Sequence, residues 1–316
     1  MQNIWKKLVL SVVIAVVIYA VIGLYADLGD LGQSLARFSW TAFASAVGLS
    51  CINYLFRFFK WEIYLRRLGI SINRLLSLEV FVAGLSMSIT PGKLGEIIKS
   101  YLLYETEKIP AGRTAPIVIS DRLTDMIALL VILSVGTAAF PFGMPLLAGG
   151  ILLVLVVIAA ILIKPVGTFF IGITAGIPLI RRMSHVLEES YESLRTLSDA
   201  RTLIITSLIS IVSWSCEAVG FYLVLGGFEC VEPSFFRCFF IYSASTIAGA
   251  LLFTPGGLGV TEGGMLGMLM KIGPDGITKA CASAATILIR LATLWWGVAL
   301  GLIALGLFQR RTAKKI

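Results

Sequence analysis

The chain is poor in most of what a soluble enzyme relies on. Of its 316 residues only 14% are charged, where a soluble domain carries about 25%. There is one histidine, His185, and it falls in the polar stretch Arg181 to Asp199, which reads as a surface helix. A histidine-based nucleophile or a His-rich zinc site is therefore excluded. The five cysteines are scattered, mostly through apolar runs, with no CxxC pair, and read as small buried hydrophobes rather than a metal or redox site. With 58% hydrophobic residues and a mean hydropathy of +0.93, the polar side chains cannot cover a soluble globule. Disordered and disulfide-stapled secreted classes fall for the same reason.

What is present is long apolar runs. Leu8–Tyr25, Trp40–Phe59, Ile117–Phe140, Leu146–Ile163, Leu203–Phe228 and Ala280–Phe308 each hold about the 20 residues needed to cross the hydrocarbon core. The first is longer than a signal-peptide core and lacks a small-x-small site before Asp27, so it reads as an uncleaved span. Two more apolar stretches, Leu75–Tyr104 and Phe235–Met270, are interrupted by TPGKLG (from Thr90) and TPGGLG (from Thr254). Proline and glycine break a helix there, and broken backbone at membrane depth survives only where protein or a wet cavity surrounds it.

The net charge of +8 is informative through its distribution. If both broken stretches enter and return on the same side, Lys6, Lys7, Arg66, Arg67, Arg74, Lys108, Arg113, Lys164, Arg181, Arg182, Arg195, Arg201 and the basic C-terminus share one side. The positive-inside rule makes that side cytoplasmic. The fold expected is all-α and integral to the membrane: about six transmembrane helices plus two re-entrant broken-helix hairpins. Both termini then lie on the cytoplasmic side of the inner membrane.

The two breaks agree at five of six positions, and each precedes a span with an arginine-leucine pair, Arg122-Leu123 or Arg290-Leu291. Residues 1–316 thus read as one membrane domain with repeats at about 40–140 and 201–308, joined by a cytoplasmic helix at about 181–199. The chosen topology inverts one repeat relative to the other, a transporter plan with its site near the midplane.

Charges within spans are costly and so point to pairing or function. Lys93, Glu96 and Lys99 stand at the first break and Glu262 at the second; Asp121, Arg122 and Asp125 sit in the third span, Glu217 in the fifth and Arg290 in the last. Asp121 and Asp125 share a helix face. The plainer reading pairs Glu96 or Glu262 with Arg122 or Arg290 as internal salt bridges. The sharper one places Lys93, Arg122, Arg290 and the free N–H groups of two glycine-rich helix starts around an anionic headgroup. Other patterns are weak: GGLGVTEGG lacks the third glycine and the βαβ setting of a dinucleotide fingerprint, and TPGKLGE lacks Walker spacing. Gly259, Gly263 and Gly267, and the pair Gly297 and Gly301, are expected at close helix contacts. Trp5, Trp40 and Trp61 are expected at the membrane interfaces, and the stripe Leu28, Leu31, Leu35 and Phe38 on the outer leaflet.

TPGKLGEIIKSYLL, SDRLTDMIALL and FTPGGLGVTEGG together resemble the membrane domain of lysylphosphatidylglycerol synthase/flippase proteins, the UPF0104 type. The resemblance covers nearly the whole chain and implies a protein that moves lipids between leaflets. Thr90, Pro91, Gly92, Lys93, Gly95, Glu96, Asp121, Arg122 and Asp125 are the candidate site residues of the first repeat. Thr254, Pro255, Gly256, Gly257, Gly259, Glu262 and Arg290 are those of the second. The expected partner is a membrane phospholipid or polyprenyl-linked lipid, with a homo-oligomer and a separate lipid-modifying enzyme also admitted and nucleic acid excluded. No cofactor, metal or catalytic residue is expected. Two-part members add a soluble aminoacyl-transfer domain, whereas this sequence stops at Ile316. The alternative function is a membrane enzyme transferring a glycosyl or acyl group to a lipid.

Overall fold

The computed structural model describes residues 2–90, 94–137, 140, 143–163, 184–229, 231–252 and 254–313. Among these there is no strand. The helices are α1 (Gln2–Ala26), α2 (Leu28–Ala36), α3 (Trp40–Arg67), α4 (Arg74–Leu85), α5 (Ile98–Glu107), α6 (Ala111–Thr114) and α7 (Pro116–Thr137). They continue as α8 (Met144–Leu162), α9 (Ser184–Leu197), α10 (Ala200–Gly226), α11 (Phe235–Leu251), α12 (Val260–Ile272), α13 (Lys279–Arg290) and α14 (Trp296–Ala313). A π-turn, Leu291–Trp295, joins the last two without a break in the chain's course.

Among the described residues five helical segments are long and apolar enough to cross a membrane: Val9–Ala26, Trp40–Arg67, Met144–Leu162, Ala200–Gly226 and Lys279–Arg311. Helix α7, expected as a sixth span, has 22 residues, about 33 Å. It differs in carrying Asp121, Arg122 and Asp125, the first and last of them buried. Val13, Val16 and Val17 on α1, Leu152 and Leu155 on α8 and Ile303 and Leu307 on α14 are exposed, the surface a hydrocarbon solvent stabilises.

Helix α10 packs along α3 and also against α7, α11 and α13, placing it at the centre of the bundle. Proline and glycine interrupt both broken stretches as expected. The first is α4, a break, the 3₁₀ turn Leu94–Ile97 and α5; the second is α11, a break and α12. The 12-residue α4 and 13-residue α12 span about 18–20 Å each, short of the ~30 Å hydrocarbon core. The two halves of each stretch pack on each other, and the two breaks meet. Gly256 N–H points at the Thr90 carbonyl at 3.5 Å, and a Cβ on Gly256 would lie 3.2 Å from Ile89 Cα. Gly256, Gly257 and Gly259 have φ of 61°, 74° and 83°, a region only glycine enters at little cost.

Three packing expectations are corrected. A Cβ on Gly301 would lie 2.1 Å from Ser86 N, so α14 does run against the first break at closest approach. Gly263 and Gly267, by contrast, are exposed with nothing near them, and Gly264 is the residue of α12 turned onto Ser245. Trp61 is buried and donates its indole N–H to the Ser77 hydroxyl at 3.1 Å rather than anchoring at an interface. In the stripe, Leu31 and Leu35 pack against the core, Phe38 is buried within it, and only Leu28 stays exposed.

Candidate functional site

The first half of the site is a buried ion cluster assembled by α3, the first break and α7. On α7, Asp121 and Asp125 face the same way, and the wholly buried Lys60 of α3 reaches both, at 2.6 and 2.7 Å. Its ammonium also donates to the Ser210 hydroxyl at 2.7 Å, tying in α10. One turn earlier on α3, Arg57 Nη2 lies 3.2 Å from Asp121 and 3.5 Å from Glu96. Glu96 also meets Lys99 at 2.9 Å and Arg122 at 3.7 Å. Arg122 completes the ring on Asp121 and, at 3.2 Å, on Asp125. Gly84 leaves room for the Lys99 stem, whose ammonium lies over the Trp61 ring at 5.1 Å. Charges this deep persist only when paired, and here each acid touches at least two bases.

The second half is smaller. Arg290, at the end of α13, donates from Nε to Glu262 Oε1 at 2.6 Å and from Nη2 to the Gly256 carbonyl at 2.6 Å. The other oxygen of Glu262 accepts the Gly259 N–H at 2.7 Å. Glu262 thus caps the helix start that the sequence reading left open for a ligand anion. Of the plainer pairings, two form: Glu96 with Arg122 and Glu262 with Arg290.

Between the halves lies a cavity of about 300 Å³. Arg57, Arg122 and Arg290 face it together with Asp125, Glu217, Tyr54 and Tyr242, and Met126, Leu129 and Leu294 supply apolar wall. The wall reaches Leu153 of α8, which is 40% exposed beside the exposed apolar residues of that helix, and exposed Ala250 of α11. A largely apolar pocket with charged groups in its wall therefore opens sideways between α8 and α11.

Among the candidate site residues, Arg122, Asp125, Thr254, Gly256, Gly257 and Arg290 line this cavity. Glu96, Asp121 and Glu262 are buried behind it as partners of the arginines. Thr90 shapes the first break: its hydroxyl donates to the Met87 carbonyl and accepts the Gly95 N–H, each at 2.7 Å, and Gly95 is pressed against it. Pro255 and Gly259 bound the second turn, where Leu258 N–H meets the Pro255 carbonyl at 2.9 Å. Pro91, Gly92 and Lys93 lie outside the described residues.

The sequence reading missed Arg57 and Lys60. Their three-residue spacing in LFRFFKWE was the available signal; with the expected span ending at Phe59 neither was weighed for the site, whereas α3 continues to Arg67. Glu217 was placed in a span but not at the site, and Tyr242, whose hydroxyl donates to it, gave no signal. Among the described residues no group of His, Cys, Asp and Glu is placed to hold a metal ion.

The sequence profile of the lysylphosphatidylglycerol synthase TM region matches residues 9–301. The chain belongs to that family. A UPF0104 membrane protein of Methanothermobacter thermautotrophicus is 23% identical to it, over 96% of each chain. Another from Pyrococcus horikoshii is 22% identical over 81% of this chain and 84% of that protein. The resemblance drawn from the motifs at the two breaks is thereby confirmed at the level of the family, a multi-pass membrane family.

Proposed function

We propose that this member of the family moves an anionic, phosphate-bearing lipid between the leaflets of the cytoplasmic membrane, as a flippase or scramblase and without covalent change to the lipid. The observation that supports this reading is the sideways-opening cavity, with three guanidinium groups facing into it between the two broken stretches. A phosphate accepts paired N–H donors from arginine better than from any other side chain. Arg122 and Arg290 approach it from opposite repeats, and Arg57 stands behind. Acyl chains stay in the bilayer, so only the headgroup needs a polar enclosure. In this reading the broken stretches are re-entrant hairpins of inverted repeats, and both termini are cytoplasmic. The acids hold the arginines extended and exchange partners as the site is exposed to either side.

The test is a headgroup-accessibility assay on proteoliposomes containing a labelled phospholipid. Arg122→Ala and Arg290→Ala are expected to slow exchange at least tenfold. Exchange at the wild-type rate in both variants rejects the assignment of this site.

A further inference from the structure

Among the described residues ten charged side chains line or back the cavity, and they are not equally served. The bases Arg57, Lys60, Lys99, Arg122 and Arg290 balance the acids Glu96, Asp121, Asp125, Glu217 and Glu262 in number. Yet the bases all lie on four of the acids, through the pairs Lys60–Asp125 (2.7 Å), Lys99–Glu96 (2.9 Å) and Arg290–Glu262 (2.6 Å) and the arginine contacts around Asp121. Glu217 is the exception. It is 8% exposed, it faces the cavity, and its one hydrogen-bond partner among the described residues is the Tyr242 hydroxyl. No described lysine or arginine makes an ion pair with it.

The groups around Glu217 come from every helix packed on α10. Tyr242 from α11 bonds it, Tyr54 and Arg57 from α3 and Cys216 on α10 itself act on it, and Arg122 and Asp125 from α7 and Arg290 from α13 share the cavity wall with it. The arginines among them are committed to other carboxylates. A phosphodiester entering this cavity adds a negative charge to described residues whose charges balance, next to a buried carboxylate that no described base contacts at ion-pair distance and that Arg57 reaches only through space. An uncompensated buried charge is strongly disfavoured, so an anion alone is poorly accommodated.

We propose that Glu217 is a subsite for one positive charge that enters with each anionic headgroup. The proposal rests on the headgroup reading above and specifies it: phosphate on Arg122 and Arg290, a cation on Glu217. Two sources supply that charge. One is an ammonium carried by the same headgroup, which the Glu217 carboxylate suits as a counter-charge, with Tyr54 and Tyr242 in the same wall. The other is a proton from water, which forms an O–H bond on a Glu217 oxygen and leaves the acid neutral. In either case binding of phosphate and binding of the positive charge favour each other reciprocally.

The experiment uses the full chain purified in detergent, titrated with two lipids of matched short chains. One is phosphatidylglycerol, a phosphodiester without an amine; the other is phosphatidylethanolamine, a phosphodiester with an ammonium. Glu217→Gln keeps an acceptor for Tyr242 and removes the charge, and its thermal unfolding is checked against wild type. The variant is expected to bind phosphatidylglycerol about tenfold more tightly than wild type does at neutral pH, a gain that a merely structural role does not produce. A wild-type preference for phosphatidylethanolamine that disappears in Glu217→Gln identifies the ammonium as the source. Phosphatidylglycerol binding that strengthens as pH falls in wild type, and stays flat in the variant, identifies the proton. If Glu217→Gln binds both lipids as wild type does at every pH, the proposal is overturned. Arg122→Ala separates the two readings. Unchanged lipid binding in that variant rejects the headgroup site itself, whereas its loss beside an unchanged Glu217→Gln rejects only the cation subsite.

Discussion

Glu262 and Arg290 join at 2.6 Å across the second break, and the same carboxylate holds the Gly259 N–H at 2.7 Å. One side chain therefore fixes both the start of α12 and the direction of a cavity-lining guanidinium. Glu96 and Arg122 repeat the relation at the first break, at 3.7 Å within a larger cluster. The second pair has fewer substitutes. Glu262→Gln keeps a group able to cap Gly259 but leaves Arg290 without its anion. It is expected to destabilise the fold by about 3–5 kcal/mol. Replacing both members, as Glu262→Gln with Arg290→Met, should cost less than the sum of the single changes, and denaturant titration of the four proteins measures that coupling.

Lys60 is the most deeply buried base of the first half. It is wholly buried and touches Asp121, Asp125 and the Ser210 hydroxyl. Lys60→Met removes the cation while filling its volume, and leaves both aspartates to Arg122 and Arg57. A loss of about 3–5 kcal/mol is expected, and Lys60→Met with Asp125→Asn should recover part of it. Thermal unfolding in detergent, compared across the three proteins, decides the point. A single variant as stable as wild type would show that the arginines suffice.

The elements legible from sequence were those with a local signature. Apolar runs gave the long helices, and the proline-glycine breaks gave the interruptions, because both depend on neighbouring residues alone. The arginine-acid pairs at the breaks were legible as alternatives, since the plainer reading offered two acids, Glu96 and Glu262, to two bases, Arg122 and Arg290. Arg57 and Lys60 were not, because their role depends on where α3 ends relative to α7, a tertiary fact. The glycines of α12 misled for a related reason. A small-xxx-small pattern states that a close approach is allowed, and Gly263 and Gly267 have no neighbour to approach.

That contrast among glycines gives a paired test. At Gly301 an added methyl would overlap Ser86 N at 2.1 Å, backbone against backbone. Gly301→Ala is expected to destabilise by about 1–3 kcal/mol through forced separation of α14 from the first break. Gly267→Ala meets open space and should be neutral, or stabilising by up to about 1 kcal/mol through helix propensity. Parallel melting curves of the two alanine variants check both signs at once.

Asp199 supplies a pH-dependent contribution outside the spans. Its carboxylate accepts the Thr202 N–H at 3.0 Å and the Thr202 hydroxyl, capping the start of α10, and lies 3.2 Å from Arg67. The Thr202 hydroxyl is the main cause that holds this carboxyl below its ordinary value, with the Thr202 backbone N–H and Arg67 adding to it and desolvation opposing. A carboxyl lowered on folding contributes stability that is fully present above the unfolded value and is lost as pH falls through the folded one. Asp199→Ala should therefore melt below wild type at neutral pH. The two curves should converge as pH falls below the ordinary carboxylate range, where the wild-type cap is protonated and loses its charge-assisted bonds. The side chain is more than a third exposed, so solvent screening keeps the gap modest. A gap that persists unchanged into acid would assign the effect of Asp199 to packing instead of its charge.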